Sequence, residues 1–222
     1  YITYQQASDH WNVSSYEANL LLFDRYCLKE YPDANSLSQK MVDRWCSKRD
    51  TEENNSCRSR IYVIISFIRY LKKRAKTDIT IPAIPRREPR TYLPHAFTAM
   101  ELQNFFYSCD SILGEVTSEQ RARRITIPVF FRLLYCSGIR TTEARLLRVE
   151  DMDLRGGVLN IRYSKGYDQH FIVLHDTMLD LMKKYDTVIR EMYPGRTYFF
   201  PARNDKCHTR QWVQVNFREL WN

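Results

Sequence analysis

Two charged residues near the middle of the chain have types and spacing suited to holding an anionic group. Arg140 follows Gly138, a residue suited to the left-handed end of a helix, and stands where the next helix should begin. Glu143 lies one turn further on. A planar guanidinium can grip phosphate or carboxylate oxygens through two parallel hydrogen bonds. Taken alone, however, Arg140 has the position of an ordinary surface arginine or of a salt-bridge partner for Glu143.

The elements around these residues predict a helical framework with one hairpin. A helix is expected from about Ser118 to Cys136, ending at Gly138, and a short one from about Thr142 to Arg148. The period then changes to that of strands in 158–163 and 170–174. The intervening Ser164–Asp168 should form the turn, and Lys165 stands in it.

Further helices are predicted on both sides of this region. Thr98 and Glu101 form a capping-box pattern before an apolar helix face. Asp176 is positioned to cap a helix running through about Met192, and Thr209 to cap a last one. Tyr135 is expected to be buried against the following helix.

The first third of the chain reads as three helices. Ser14 or Ser15 could cap the first, which carries Leu20, Phe23 and Cys27 at helical spacing. The second is predicted over Ser38–Lys48, with Met41, Val42 and Trp45 on its apolar side. The third, from about Ser56 to Ala75, carries a stripe formed by Ile61, Ile64, Ile65, Ile68 and Leu71.

A basic, proline-rich stretch separates the two parts. Four of the eight prolines, Pro82, Pro85, Pro89 and Pro94, favour an extended linker. The stretch 58–90 carries ten basic residues against two acidic ones, which predicts a track for phosphates. Taken alone, this pattern is more typical of the solvent side of a soluble helix. The candidate DNA-binding residues are Arg58, Arg60, Lys72, Arg86, Arg87 and Arg90.

Composition limits the class of protein. The chain has 222 residues, a formal charge of +8 and a pI near 9.2, which favour an anionic partner or, equally, a basic surface kept for solubility. Six cysteines without C-x-x-C spacing indicate thiols in a reducing cytoplasm; neither a disulfide frame nor a zinc site is expected. The sequence shows no signal peptide and no apolar run of membrane-spanning length. It starts without Met and ends at Asn222, so we expect a fragment.

The run Leu133–Leu154 resembles the first conserved box of the tyrosine recombinases, the phage and transposon integrases. In that box a helix ends in glycine, and an arginine is followed three residues later by an acidic residue, a leucine-rich turn and an acidic strand entry. The match continues in order for over twenty residues. Lys165 also stands where the family carries a lysine, in the turn of a hairpin.

The resemblance implies a fold and a domain plan. The fold would be mainly α with a small β-hairpin or sheet, an α+β class. A helical core-binding domain would occupy residues 1–80, a linker 81–96, and a partial, C-terminally truncated catalytic domain 97–222.

It also implies a reaction. In the family a tyrosine attacks a DNA phosphodiester and forms a 3′-phosphotyrosyl link, releasing a 5′-hydroxyl. Arg140 would clamp the phosphate, Glu143 would orient Arg140, and Lys165 would protonate the leaving oxygen. The expected partner is double-stranded DNA, with tetramers forming on DNA in the full-length protein. No metal or other cofactor, no membrane and a cytoplasmic location are expected.

The family's second box, His-x-x-Arg, and its nucleophilic tyrosine are not found. His208 and Arg210 are spaced as H-x-R, and Thr209 as a helix cap explains that segment better. None of the fifteen tyrosines stands where the nucleophile should be. A site-specific recombinase lacking its nucleophile in this chain is therefore the leading hypothesis. A non-catalytic DNA-binding relative on the same scaffold is the alternative, and an unrelated helical DNA-binding regulator is the third.

Overall fold

The computed structural model describes residues 1–7, 16–89, 92–114, 117–162 and 169–221. The predicted cap at Ser14 or Ser15, the candidate DNA-binding Arg90 and the hairpin Lys165 lie outside these residues. The chain divides into two compact units, Tyr1–Pro94 and His95–Asn222.

All regular structure in the described residues of the first unit is helical. Its helices are α1 (Ile2–Gln6), α2 (Ala18–Glu30), α3 (Gln39–Cys46) and α4 (Asn54–Lys72). Ser38 caps α3 as its oxygen accepts the amide of Met41. The predicted isoleucine stripe of α4 is buried against α2 and α3, except that Leu71 is only half-buried. In residues 77–89, the described part of the proline-rich stretch has no helix or strand.

The second unit combines helices with two small antiparallel sheets. The elements, in chain order, are α5 (Ala99–Asp110), α6 (Ser118–Ser137), α7 (Thr141–Leu146), β1 (Met152–Asp153), β2 (Val158–Ile161), β3 (His170–Val173), α8 (Asp176–Met192), β4 (Pro201–Ala202), β5 (Lys206–Cys207) and α9 (Arg210–Trp221). The mainly helical α+β class is therefore confirmed.

The sheet that carries the predicted hairpin has three strands in the order β1-β2-β3. Strands β2 and β3 pair antiparallel with Ile161 opposite His170, so the hairpin's strands form as predicted. Strand β1 was not predicted. It turns into β2 through Gly157, whose φ of +70° lies in the left-handed region that glycine tolerates.

Most helix ends follow the predicted signals. Thr98 and Glu101 form the capping box of α5, Gly138 ends α6 with φ +66°, and Thr209 accepts the amide of Trp212 at the start of α9. The predicted cap at Asp176 is wrong. The N-cap residue of α8 is His175, one residue before Asp176, because the His175 ring nitrogen accepts a hydrogen bond from the amide of Thr177.

Tyr135 is not buried as the sequence predicted. Its side chain on α6 is 59% exposed and its ring meets Phe106 at a centroid distance of 5.6 Å. The buried side of α6 is instead supplied by residues such as Phe130 and Leu133. These side chains pack in the second unit's core, which α8 and the Phe199–Phe200 pair complete.

Candidate functional site

Arg140 is positioned by the turn between α6 and α7. The left-handed Gly138 reverses the chain after α6, and its amide bonds back to the Leu134 carbonyl at 3.1 Å. Arg140 is then the N-cap residue of α7. The predicted helix end therefore places the arginine at the mouth of the next helix, as the glycine signal indicated.

Glu143 fixes the Arg140 guanidinium from beneath. Its carboxylate is almost fully buried, with 3% of the side chain exposed, whereas the Arg140 side chain is 58% exposed. One carboxylate oxygen accepts a hydrogen bond from Arg140 Nη1 at 2.7 Å, and the other accepts one from the Arg140 backbone amide at 2.8 Å. The pair thus holds the start of α7 and leaves the arginine within reach of a ligand from solvent.

An open cleft lies beside this pair. It has a volume of about 330 Å³ and is lined by Ser137, Gly138, Ile139, Arg140, Glu143, His170 and Ile172. Because side chains alternate along a strand, His170 and Ile172 share one side of β3. Phe171 and Val173, from the other side, are exposed. Strand β3 therefore contributes to the same cleft as the arginine.

A second set of charges holds the hairpin in place, and the sequence reading missed it. Arg162, just after β2, contacts Asp151 through Nε and Glu150 through Nη1, the latter at 3.2 Å. Arg148 reaches the same Glu150 at 3.4 Å. The Asp151 carboxylate is buried, so it fixes the position of the Arg162 side chain from inside the unit. These contacts tie the end of β2 to the segment that follows α7.

His208 does not belong to the Arg140 cleft. Its ring is stacked on Trp212 at 3.7 Å between centroids and 15° between planes. The His208 carbonyl accepts a hydrogen bond from Arg145 Nε. Burial, and then the nearby Arg145 charge, lower the pKa of His208 to about 4. A structural role for this segment, with Thr209 as the cap, fits these contacts better than a role in the site.

The candidate DNA-binding residues of the first unit separate into different environments. Arg60 is 5% exposed, and its guanidinium pairs with Glu52 and donates to the carbonyls of Trp45 and Ser47. A buried guanidinium with these partners cannot reach a DNA phosphate, so its prediction as a DNA-binding residue is corrected.

The other candidates differ in accessibility. Arg58 is half-buried, donates to the Pro85 carbonyl and lies 5.6 Å from the Tyr62 ring centroid, so it attaches the proline-rich stretch to α4. Lys72, Arg86 and Arg87 are exposed.

A cluster at the C-terminal end of α4 groups more basic residues than the sequence reading selected. Arg69, Lys72, Lys73 and Arg74, the α4 basic cluster, line one concave surface with Tyr4 and Tyr70. All four are exposed, and the Arg74 guanidinium lies 3.7 Å from the Tyr70 ring centroid. Arg69, Lys72 and Lys73 stand at positions i, i+3 and i+4, and this helical spacing was the signal that the sequence offered.

The described residues contain no group of three or more His, Cys, Asp and Glu side chains placed to hold a metal ion. All six cysteines are unbridged, and Cys46, Cys57 and Cys109 are buried. Burial raises the pKa of the Cys109 thiol to about 12, so that thiol is poorly suited to act as a nucleophile. Within the same residues, no helix has the length and apolar character needed to cross a membrane.

Comparison with known proteins identifies the family of this chain. Residues 101–222 match the model of the phage integrase family, which is more than half of the chain. The chain therefore belongs to the phage integrase family, the tyrosine recombinases.

Tyrosine recombinase XerC of Staphylococcus saprophyticus subsp. saprophyticus is 25% identical over 185 residues, which are 82% of this chain and 59% of XerC. In three curated relatives, the matched region covers 39–59% of the relative's own length.

Solved structures show the same fold. XerH site-specific recombinase bound to a palindromic difH substrate, in a post-cleavage complex, aligns with 94% of this chain and 61% of that chain, at 19% identity and a TM-score of 0.65. A lambda integrase tetramer bound to a Holliday junction aligns with 99% of this chain and 60% of that chain, at 15% identity and a TM-score of 0.61. At these identities the likeness concerns the fold alone.

Proposed function

We propose that this chain is part of a site-specific DNA recombinase that cuts and rejoins DNA through a 3′-phosphotyrosyl intermediate. The observation that carries the proposal is Arg140, an exposed guanidinium held by a buried carboxylate in a chain of the phage integrase family. A group that must grip a developing charge works best when it is fixed before the substrate arrives.

The proposed roles follow from the chemistry of each side chain. Arg140 donates to non-bridging oxygens of the scissile phosphate, where negative charge accumulates during attack. Glu143 orients Arg140 from the buried side. Lys165 protonates the leaving 5′-oxygen, a role that rests on its position in the family's hairpin. The attacking tyrosine is expected outside this chain.

The DNA partner is supported by the α4 basic cluster as well as by Arg86 and Arg87. DNA binding through these residues releases counterions, so affinity should fall steeply as salt rises. We further propose a cytoplasmic location and, for the full-length protein, assembly as a tetramer on its DNA. The α4 basic cluster replaces Arg60 in the proposed DNA-contacting set.

The decisive experiment uses the natural full-length protein and a nicked duplex carrying its cognate site. We expect a covalent protein–DNA adduct that Arg140→Ala abolishes while most DNA binding is kept. Arg203→Ala is the matched control, because Arg203 is also an exposed arginine of the second unit and pairs with Glu119 at 3.6 Å. Normal adduct yield from Arg140→Ala would remove Arg140 from the mechanism. The absence of any adduct from the full-length protein would favour the non-catalytic relative.

Salt titration tests the DNA-binding surface in this chain itself. Each phosphate contact contributes about 0.9 to the slope of log affinity against log salt, so Lys72→Ala with Lys73→Ala should reduce the slope by about 2. Lys29→Ala with Lys48→Ala removes the same charge from exposed positions of the first unit outside the cluster. Equal slopes for the two double variants would show that the cluster does not contact DNA.

A further inference from the structure

His170 is the one titratable side chain on β3, and the roles proposed above leave it unused. It is half-buried at the start of the strand, opposite Ile161 of β2. Its side chain lines the 330 Å³ cleft together with Arg140 and Glu143. Two separate elements, the α6–α7 turn and strand β3, therefore bring polar groups to one open space.

The chemistry of this cleft favours an anion with several oxygens. The buried Glu143 carboxylate is hydrogen-bonded to the Arg140 guanidinium, so the arginine compensates the negative charge of that carboxylate. Ile139 and Ile172 supply apolar walls, which strengthen electrostatic contacts by displacing water. An imidazole donates one N–H when neutral and two when protonated, and a guanidinium donates five. The imidazole and the guanidinium together could donate hydrogen bonds to two oxygens of one tetrahedral phosphate.

We propose that His170 is a second phosphate-binding residue, donating to one non-bridging oxygen of the phosphodiester while Arg140 donates to another. This inference rests on the proposed function, because it assigns a further contact to the same phosphate. Two donors from separate elements, the α6–α7 turn and strand β3, would orient the phosphate group as well as hold its charge. His170 binds directly and does not act through Arg140.

The test titrates inorganic phosphate into this chain and follows it by NMR. The chain has five histidines, so the imidazole carbon–proton signals are few enough to assign. The Gly138 amide reports occupancy at the Arg140 side of the cleft independently of the His170 ring. We expect both signals to move with one dissociation constant, while the ring of His175, which is outside the cleft, stays unchanged.

Variants separate the two residues. His170→Ala should weaken phosphate binding by about three- to tenfold, the loss of one hydrogen bond to a charged group. His170→Gln, which keeps a donor, should recover part of that affinity, whereas a purely structural role would give no such rescue. Arg140→Ala should abolish the response at Gly138 and at His170 together. His175→Gln is the matched control and should bind phosphate as the parent chain does.

The outcomes distinguish this inference from the proposed function. If Gly138 responds while His170 does not, and His170→Ala binds phosphate with unchanged affinity, the inference is overturned and the phosphate site at Arg140 stands. If Gly138 itself is silent at saturating phosphate, the site proposed for the recombinase fails as well. In the full-length protein His170→Ala should lower adduct yield, with His170→Gln intermediate; equal yields would also overturn the inference.

Discussion

Acid should weaken the second unit through one histidine, His208. Its imidazole is stacked on Trp212 and its pKa is lowered to about 4, because burial and the Arg145 charge disfavour the protonated ring. In an unfolded chain the ring would protonate near its ordinary value of 6.5. Between these two values the unfolded state therefore binds more protons than the folded state. Consequently, the free energy of unfolding decreases as the pH falls from about 6.5 to about 4.

The size of the effect follows from the two pKa values. Each pH unit between them is worth about 1.4 kcal/mol, so the full loss is about 3 kcal/mol. Between pH 7 and pH 5 the loss is about 2 kcal/mol. The carboxyl groups of Glu52, Glu101, Asp153 and Asp205 have lowered pKa values through hydrogen bonds. Their stabilisation is present above the ordinary carboxyl pKa and is lost only at more acid pH, so these carboxyl groups do not account for a loss between pH 7 and 5.

The assay is urea unfolding of the intact chain at pH 7, 6 and 5, read from backbone amide signals of α6 and α9. His208→Phe keeps an aromatic ring against Trp212 but removes the proton-binding nitrogen, so its stability should be nearly level across the window. His175→Asn changes an exposed histidine and should keep the parent's pH dependence. If the parent and His208→Phe lose stability equally between pH 7 and 5, the burial argument is refuted.

The remaining predictions concern single contacts. Arg140→Ala should cost the second unit about 2 kcal/mol because it leaves the buried Glu143 carboxylate without its guanidinium, and adding Glu143→Gln should recover much of that loss in a double-mutant cycle of urea unfolding. Arg60→Ala should destabilise the first unit by about 3 kcal/mol, since Glu52 and two backbone carbonyls lose their hydrogen-bond donor. At temperatures where this variant is folded, the slope of log DNA affinity against log salt should match that of the parent chain. Gly138→Ala should lower the free energy of unfolding by about 1 kcal/mol through backbone strain alone, because an added Cβ would meet no atom within 4 Å. Thermal unfolding measures this loss, and a value well below about 1 kcal/mol would contradict the left-handed conformation of Gly138.

Features set by neighbouring residues were predictable from the sequence. Ser38 and Thr98 cap their helices and Gly138 ends α6, because a cap satisfies amides or carbonyls within a few residues of itself. The strands of the hairpin followed from their period-two pattern. The cap of α8 shows the limit of such signals. His175 and Asp176 both carry an acceptor, and a difference of one residue in where the helix begins selects His175.

Features set by distant parts of the chain were not predictable. Strand β1 has two residues, too few to show a period, and it exists through pairing with β2. The place of His170 in the cleft depends on the register of β2 with β3 and on where the α6–α7 turn packs. Neither relation leaves a mark in the local sequence. The resemblance around Arg140 identified the arginine, but nothing in it indicated which residue of β3 would share its cleft.

Arg60 and Arg140 differ in accessibility, so residue type alone does not predict which arginine could bind a phosphate. Each arginine pairs with a glutamate, yet Arg60 is 5% exposed and the Arg140 side chain is 58% exposed. The Arg60 guanidinium and its glutamate partner are both largely buried, and backbone carbonyls accept further hydrogen bonds from the guanidinium. These contacts stabilise the first unit and leave the charge inaccessible to a ligand. At Arg140 only the carboxylate is buried, which fixes the guanidinium without enclosing it. The second arrangement is the one that the role proposed for Arg140 requires, because a preorganised charge stabilises a transition state only where the substrate can reach it.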